Sequence, residues 1–232
     1  MTGSFHDVIV VGAGNAAMCA ALSARETGAS VLVLERAPVE EHGGNSSFTA
    51  GGMRFAYSGL DDLLAVMPDL TEEEIARTDF GTYDRDQFYD DMGRVTEYRT
   101  DPDMAEMLVG KSLDTMVWMR SKGVKFQPIY GRQAFKVDGR FKFWGGMTVE
   151  SWGGGPGLVQ ALHGRAARDG IEILHNARAL SLVSDDDGIQ GVVARVDGRT
   201  TRLNCGSVVL ASGGFQANAE WRCRYLGPNW EL

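Results

Sequence analysis

Asp7-Val8-Ile9-Val10-Val11-Gly12-Ala13-Gly14-Asn15-Ala16-Ala17 is the stretch that decides the fold. Its first five residues form a compact, mostly β-branched run, the mark of a central strand in a parallel sheet. Gly12 breaks the run. Residues 15–26 are rich in alanine and read as a helix that Gly28 ends. Residues 30–34 form a second apolar strand. Strand, helix and strand in this order imply parallel strands joined by a right-handed crossover.

The turn itself has the form G-x-G-x-x-A, directly after a strand and opening a helix. Gly12 permits the tight turn, Gly14 lets the backbone approach a pyrophosphate, and Ala17 still allows helix and strand to pack closely. The pyrophosphate would rest on the N–H groups of the helix start. Glu35 ends the second strand about 20 residues on, where a carboxylate can accept hydrogen bonds from ribose hydroxyls. A plain glycine turn with a surface glutamate is the alternative. Strand, turn, helix and acid in register favour dinucleotide binding, which NAD and FAD share.

Gly43-Gly44-Asn45-Ser46-Ser47-Phe48-Thr49-Ala50-Gly51-Gly52 bears on the choice between them. An NAD domain continues here into helix and strand. A flavin site needs backbone along the ribityl chain and under the isoalloxazine ring, which favours small residues, N–H groups and short hydroxyls. Met53 and Phe55 make a free surface loop a poor reading. Late in the chain, Val208-Val209-Leu210-Ala211-Ser212-Gly213-Gly214-Phe215 reads as a buried strand ending in small residues. Ligands of doubly wound sheets bind beyond the carboxyl ends of such strands.

Between these segments lies a polar, largely helical stretch. Thr71-Glu72-Glu73-Glu74-Ile75 reads as an exposed helix start with acids in its first turn. Residues 86–95 and 102–122 look helical; in the second, Met104, Leu108, Leu113, Met116 and Val117 can share one face. Residues 134–143 suggest a hairpin turning at Asp138-Gly139. Gly153-Gly154-Gly155-Pro156 leads into a helix over about 157–168 with Pro156 near its start, followed by a strand over 171–174. Three short strands, 179–183, 191–196 and 201–204, turn at Asp187-Gly188 and Asp197-Gly198 before a last strand over 207–211. The expected fold is α/β: a Rossmann-like domain with a parallel sheet, helices and a β-meander, spanning 1–232 and carrying a mostly helical insertion at about 56–133.

Composition narrows the function classes. The 30 glycines are clustered, so they mark turns and backbone–ligand contacts and not a fibrous repeat. A net charge of −8 without a basic stripe argues against nucleic acid. Cys19, Cys205 and Cys223 lack C-x-x-C spacing and read as reduced thiols of a cytoplasmic protein. The apolar run near the N-terminus is too short for a membrane span. His6, His42, His163 and His175 are scattered, lack metal spacing and read as surface or packing residues. Trp144 and Trp152 could border a pocket or pack in the core. Asp185-Asp186-Asp187-Gly188 reads as a solvated turn and not a calcium loop.

Together the three glycine-rich segments, with Asn218 after the last, resemble the flavoproteins of the fumarate reductase and succinate dehydrogenase family. Within that family, residues 14–38, the Gly43-Gly44-Asn45-Ser46 run and Lys125-Phe126-Gln127-Pro128 look most like the FAD-dependent tricarballylate dehydrogenases. The resemblance implies FAD and redox chemistry on a CH–CH bond of a small di- or tricarboxylate, with hydride passing between substrate carbon and flavin N5. An electron-acceptor protein or a quinone is the implied partner. Asn45 stands where members with covalent FAD carry histidine, which implies noncovalent FAD. The residues expected to hold it are Gly12, Gly14, Asn15, Ala16, Glu35, Arg36, Gly44, Asn45, Ser46, Thr49, Ala50, Gly51, Gly52, Ala179, Ala211, Ser212 and Gly213. In the family the capping domain, catalytic arginine and histidines, and last flavin-binding segment follow the region matched here. The domain is therefore expected to be incomplete, and no catalytic residue is assigned. An NAD-dependent enzyme and a nonenzymatic FAD-binding module are the competing readings.

Overall fold

The computed structural model describes residues 5–231. The strands are β1 (His6–Val11), β2 (Val31–Leu34), β3 (Gly52–Met53), β4 (Phe126–Pro128), β5 (Ala134–Val137), β6 (Arg140–Phe143), β7 (Val149–Ser151), β8 (Glu172–Leu174), β9 (Ala177–Asp185), β10 (Gly188–Val196) and β11 (Arg199–Leu210). The helices are α1 (Asn15–Glu26), α2 (Leu60–Val66), α3 (Glu72–Arg77), α4 (Arg85–Thr96), α5 (Pro102–Ser121), α6 (Tyr130–Gln133), α7 (Gly154–Arg168) and α8 (Ala219–Leu226). The chain divides into two compact units, residues 1–49 with 158–232, and residues 50–157.

The first unit is built on a six-stranded sheet in the order β8-β2-β1-β11-β10-β9. β8, β2, β1 and β11 run parallel, whereas β11, β10 and β9 form an antiparallel meander. This is the expected α/β class. Every residue of β2 is buried, as its unbroken Val-Leu-Val-Leu run requires of a strand covered on both faces. Ile9, Val11, Leu32 and Leu34 join Ala177, Val192, Ala194 and Cys205 in one apolar cluster. α1 packs on β1 and β2 and buries Ala17, Met18, Ala21 and Leu22.

One element departs from expectation. The third meander strand and the returning strand are a single 12-residue strand, β11. It pairs antiparallel with β10 through Asn204 and parallel with β1 from Cys205 to Leu210. Gly206 does not break it; a Cβ there would meet only ordinary contacts. The two turn pairs do reverse the chain, with Asp197 and Gly198 both at positive φ as a type I′ turn demands.

The second unit holds a small antiparallel sheet, β3-β7-β4, that no sequence pattern announced. It also holds the β5–β6 hairpin, turning at Asp138-Gly139 as expected. The unit reaches beyond both ends of the expected insertion at 56–133. Tyr57 ties its core together: its hydroxyl donates to the Phe80 carbonyl at 2.7 Å and accepts the Met147 N–H at 2.9 Å. α3 starts on a capping box between Thr71 and Glu74. On α5 the buried residues are Ala105, Val109, Ser112, Met116 and Met119, spaced four, three, four and three. The face expected from Met104, Leu108, Leu113, Met116 and Val117 is mostly exposed. Ser112 explains the error. It looks like a surface residue, but its hydroxyl is buried, donating to the Val109 carbonyl and accepting the Ala56 N–H.

α7 begins at Gly154, three residues earlier than expected, so Pro156 lies in its first turn, where a missing N–H costs nothing. Trp144 and Trp152 are exposed, which removes core packing, one of the two readings open for them.

Candidate cofactor site

β1 and β11 end side by side, and the turn after β1 is shaped by what lies beyond β11. Gly12 has φ 109°, and a Cβ on it would lie 2.4 Å from the Ala211 carbonyl oxygen. Only glycine fits there. Gly14 caps α1 with ordinary backbone angles. A Cβ on Gly14 would come within 3.3 Å of the Gly43 carbonyl and of Ser46 Oγ. The first turn is thus pressed against the Gly43–Ser46 loop on one side and the 211–212 segment on the other.

Polar contacts fix this arrangement. Glu35 is buried, and each carboxylate oxygen accepts one backbone N–H: Ala13 at 3.0 Å and Ala37 at 2.9 Å. The Asn15 N–H donates to Ser46 Oγ at 3.0 Å. Among the described residues no side chain caps α1, so the Ala16 N–H is the next donor in that turn. Asn45 Nδ2 donates to Gln216 Oε1 at 3.2 Å, joining the early loop to the segment after Phe215. Thr49 Oγ1 donates to the Ser46 carbonyl at 2.9 Å. Gly44 has positive φ within the same 3-10 turn. Cys19 donates to Asn15 Oδ1, and burial pushes its thiol up to about 11, far from a nucleophile at neutral pH.

The remaining expected residues divide. Ser212 and Gly213 continue from Ala211 in the exposed turn beyond β11. Arg36 is exposed beside Glu35. Ala179 lies on β9 opposite Ala194, next to an irregularity in the ladder. Ala50, Gly51 and Gly52 belong to the second unit, where Gly51 at φ 66° accepts the Ser151 N–H. Asn218, which the motif placed after the last turn, caps α8.

Sequence reasoning missed His163. Its Nε2–H donates to the Ala13 carbonyl at 2.9 Å, from α7. His42 lies beside it and His175 lies beside His42, so three histidines that look scattered in the chain are neighbours. Among the described residues, no group of three or more His, Cys, Asp or Glu is placed to hold a metal ion. No helix among them is long and apolar enough to cross a membrane. The second unit carries a cleft of about 470 Å³ whose wall includes Asp62, Asp84 and Asp86 with Arg85. Three acids to one base is the wrong sign for an anionic ligand.

Residues 7–230 match the FAD binding domain family. The chain belongs to that family. This decides for FAD over NAD as the cofactor of the domain. The chain is 28% identical over 225 residues to the fumarate reductase (cytochrome) of Shewanella frigidimarina, covering 96% of this chain and 35% of that protein. It is 28% identical over 229 residues to the urocanate reductase of Eggerthella lenta, covering 94% of this chain and 33% of that protein. The open conformation of a flavocytochrome c3 fumarate reductase superposes with a TM-score of 0.71 at 26% identity, covering 97% of this chain and 36% of the other. The resemblance read from three short motifs therefore runs along almost the whole chain. The chain spans about a third of the length of these relatives. The geometry suits the FAD domain's ligand: Glu35 keeps lone pairs beyond the two N–H bonds, and the glycine turn has no room for side chains.

Proposed function

We propose that this FAD domain serves an oxidoreductase acting on the CH–CH bond of an unsaturated or saturated small carboxylate. Bound FAD would supply a hydride donor or acceptor at flavin N5. Fumarate and urocanate, named in two relatives, are both conjugated carboxylates. Among polycarboxylates, tricarballylate is the substrate that the motif resemblance favours. The electron partner would be a protein acceptor or a quinone. The three free thiols fit a reducing compartment such as the cytoplasm.

The observation that carries the reading is the convergence on one turn. Glu35 holds the Ala13 N–H, Ser46 holds the Asn15 N–H, and Ala211 lies against Gly12. Gly12, Gly14, Asn15 and Ala16 would face the pyrophosphate, and Glu35 the ribose, with Arg36 at its rim. Gly44, Asn45, Ser46, Thr49 and Ala50–Gly52 would follow the ribityl chain, and Ala179 and 211–213 would flank the adenosine and the turn. FAD would be held noncovalently. Asn45 carries an amide committed to Gln216, and the nearby His42 imidazole is engaged with the Val39 carbonyl.

Glu35→Ala tests the assignment. Charge-assisted hydrogen bonds contribute about 1.5–3 kcal/mol, so FAD affinity should fall roughly ten- to a hundredfold. Flavin fluorescence during titration reads the change, and an unaltered Kd would remove Glu35 from the site. Acid precipitation of the FAD-loaded protein should release all flavin to the supernatant; flavin retained in the pellet would exclude noncovalent binding.

A further inference from the structure

Behind the glycine turn, three imidazoles from three separate elements meet. The His42 ring lies 4.3 Å, centre to centre, from that of His163 on α7, with 33° between their planes. It lies 5.7 Å from the ring of His175, just after β8. A carbonyl can only accept, so the bond to Ala13 places the His163 proton on Nε2. The Val39 carbonyl fixes the His42 proton on Nδ1 in the same way. His175 Nδ1 is buried without a hydrogen-bond partner among the described residues.

This cluster is wired to the cradle from both sides. Ala13 sits between Gly12 and Gly14; its carbonyl is held by His163 and its N–H by Glu35. His42 precedes Gly43, whose carbonyl faces Gly14, and the His42 carbonyl accepts from Ser47 Oγ at 3.1 Å. We infer that His163 is a positioning residue for the FAD turn, and that the His42–His163–His175 cluster makes FAD retention depend on pH. With His163 neutral, α7 grips the Ala13 carbonyl and His42 stacks on His163. A proton on His163, which burial disfavours, is accommodated when the 39–48 loop moves off α7 and admits water, and Ser46 then leaves the Asn15 N–H.

The charges acting on His163 fit this direction. Burial holds its pKa below the ordinary imidazole value of 6.5, and His42 and His175 push the same way. The bond to the Ala13 carbonyl and the Glu35 carboxylate act in opposition but do not prevail. On α7 itself, Arg165 is paired with Asp169. A histidine whose pKa is lowered on folding resists a proton that the unfolded chain accepts. Its contribution is complete above about pH 6.5 and is lost as pH falls through the folded value.

The inference rests on FAD as the ligand, and its test has one arm with FAD and one without. The intact chain is titrated with FAD between pH 8 and 5.5, read by flavin fluorescence. Kd for the wild type should rise about tenfold on acidification, close to 1.4 kcal/mol. His163→Gln keeps a donor for the Ala13 carbonyl but cannot titrate; measured against its own Kd at pH 8, its Kd should change by less than about threefold. A wild-type Kd that is flat, or that falls in acid because the cations attract the pyrophosphate, would overturn the inference. So would a wild-type slope in His163→Gln. In the second arm, Tm is followed over the same range without FAD. Wild type should lose more Tm on acidification than His163→Gln, and parallel curves would overturn the cluster's role whatever the cofactor result.

Discussion

Gly12 and Gly14 stand two positions apart and should fail differently when a methyl group is added. Gly12 needs a positive φ and has the Ala211 carbonyl where its Cβ would go. Left-handed backbone costs an L-residue about 1–2 kcal/mol before any clash is counted. Gly12→Ala should therefore lower Tm with or without FAD. Gly14 has ordinary angles and clearances of 3.3 Å. Gly14→Ala asks the Gly43 carbonyl and Ser46 Oγ to yield by a few tenths of an ångström, so it should cost less ligand-free Tm than Gly12→Ala while weakening FAD binding. Equal Tm losses at both positions would show that Gly14 is a packing glycine and not a ligand-facing one. The glycine spacing and Glu35 were legible in the sequence because a turn motif is local, with its acid at a fixed offset. His163 was not legible. Its partner, the Ala13 carbonyl, lies 150 residues away and has no side chain to leave a signature.

At the scale of elements, the helices and strands that begin at turn residues or caps were readable. α1, the β5–β6 hairpin and the meander turns each start or end at glycine, asparagine or aspartate. The small β3-β7-β4 sheet was not, because strands of two or three residues are too short to show a period. The face of α5 was misread for a different reason: methionine and leucine outweighed spacing, and a buried serine was passed over. Substitution can check the correction. Met116 is buried, and Met116→Ala should cost about 2–5 kcal/mol. Met104 is 64% exposed, and Met104→Ala should stay within about 0.5 kcal/mol. Urea denaturation of both variants decides; similar losses would restore the first reading of the helix.

Considered as a whole, the molecule has apolar surface gathered near its last turn and helix. Leu210, Trp221, Tyr225, Leu226 and Trp230 are all exposed, and Phe215 makes ring contacts with Trp221 and Tyr225. Patches of this kind bind apolar dyes and promote association. Replacing Trp221 and Tyr225 by serine should reduce the fluorescence of an added hydrophobic dye and raise the concentration at which light scattering begins. Unchanged dye binding would show that the patch is not continuous. The central sheet has a different consequence, one of order in time. β1 lies beside β11, with His6 opposite Cys205, whereas residues 50–157 form an unbroken stretch of chain. During synthesis that middle stretch leaves the ribosome complete while β1, flanked early by β2, still waits for β11. Contacts so distant along the chain form late, because a long loop must close first. Amides of α5 should therefore gain protection from hydrogen exchange before those that bond between β1 and β11 in a pulse-labelled refolding experiment. Simultaneous protection would mean that β1 does not wait for β11.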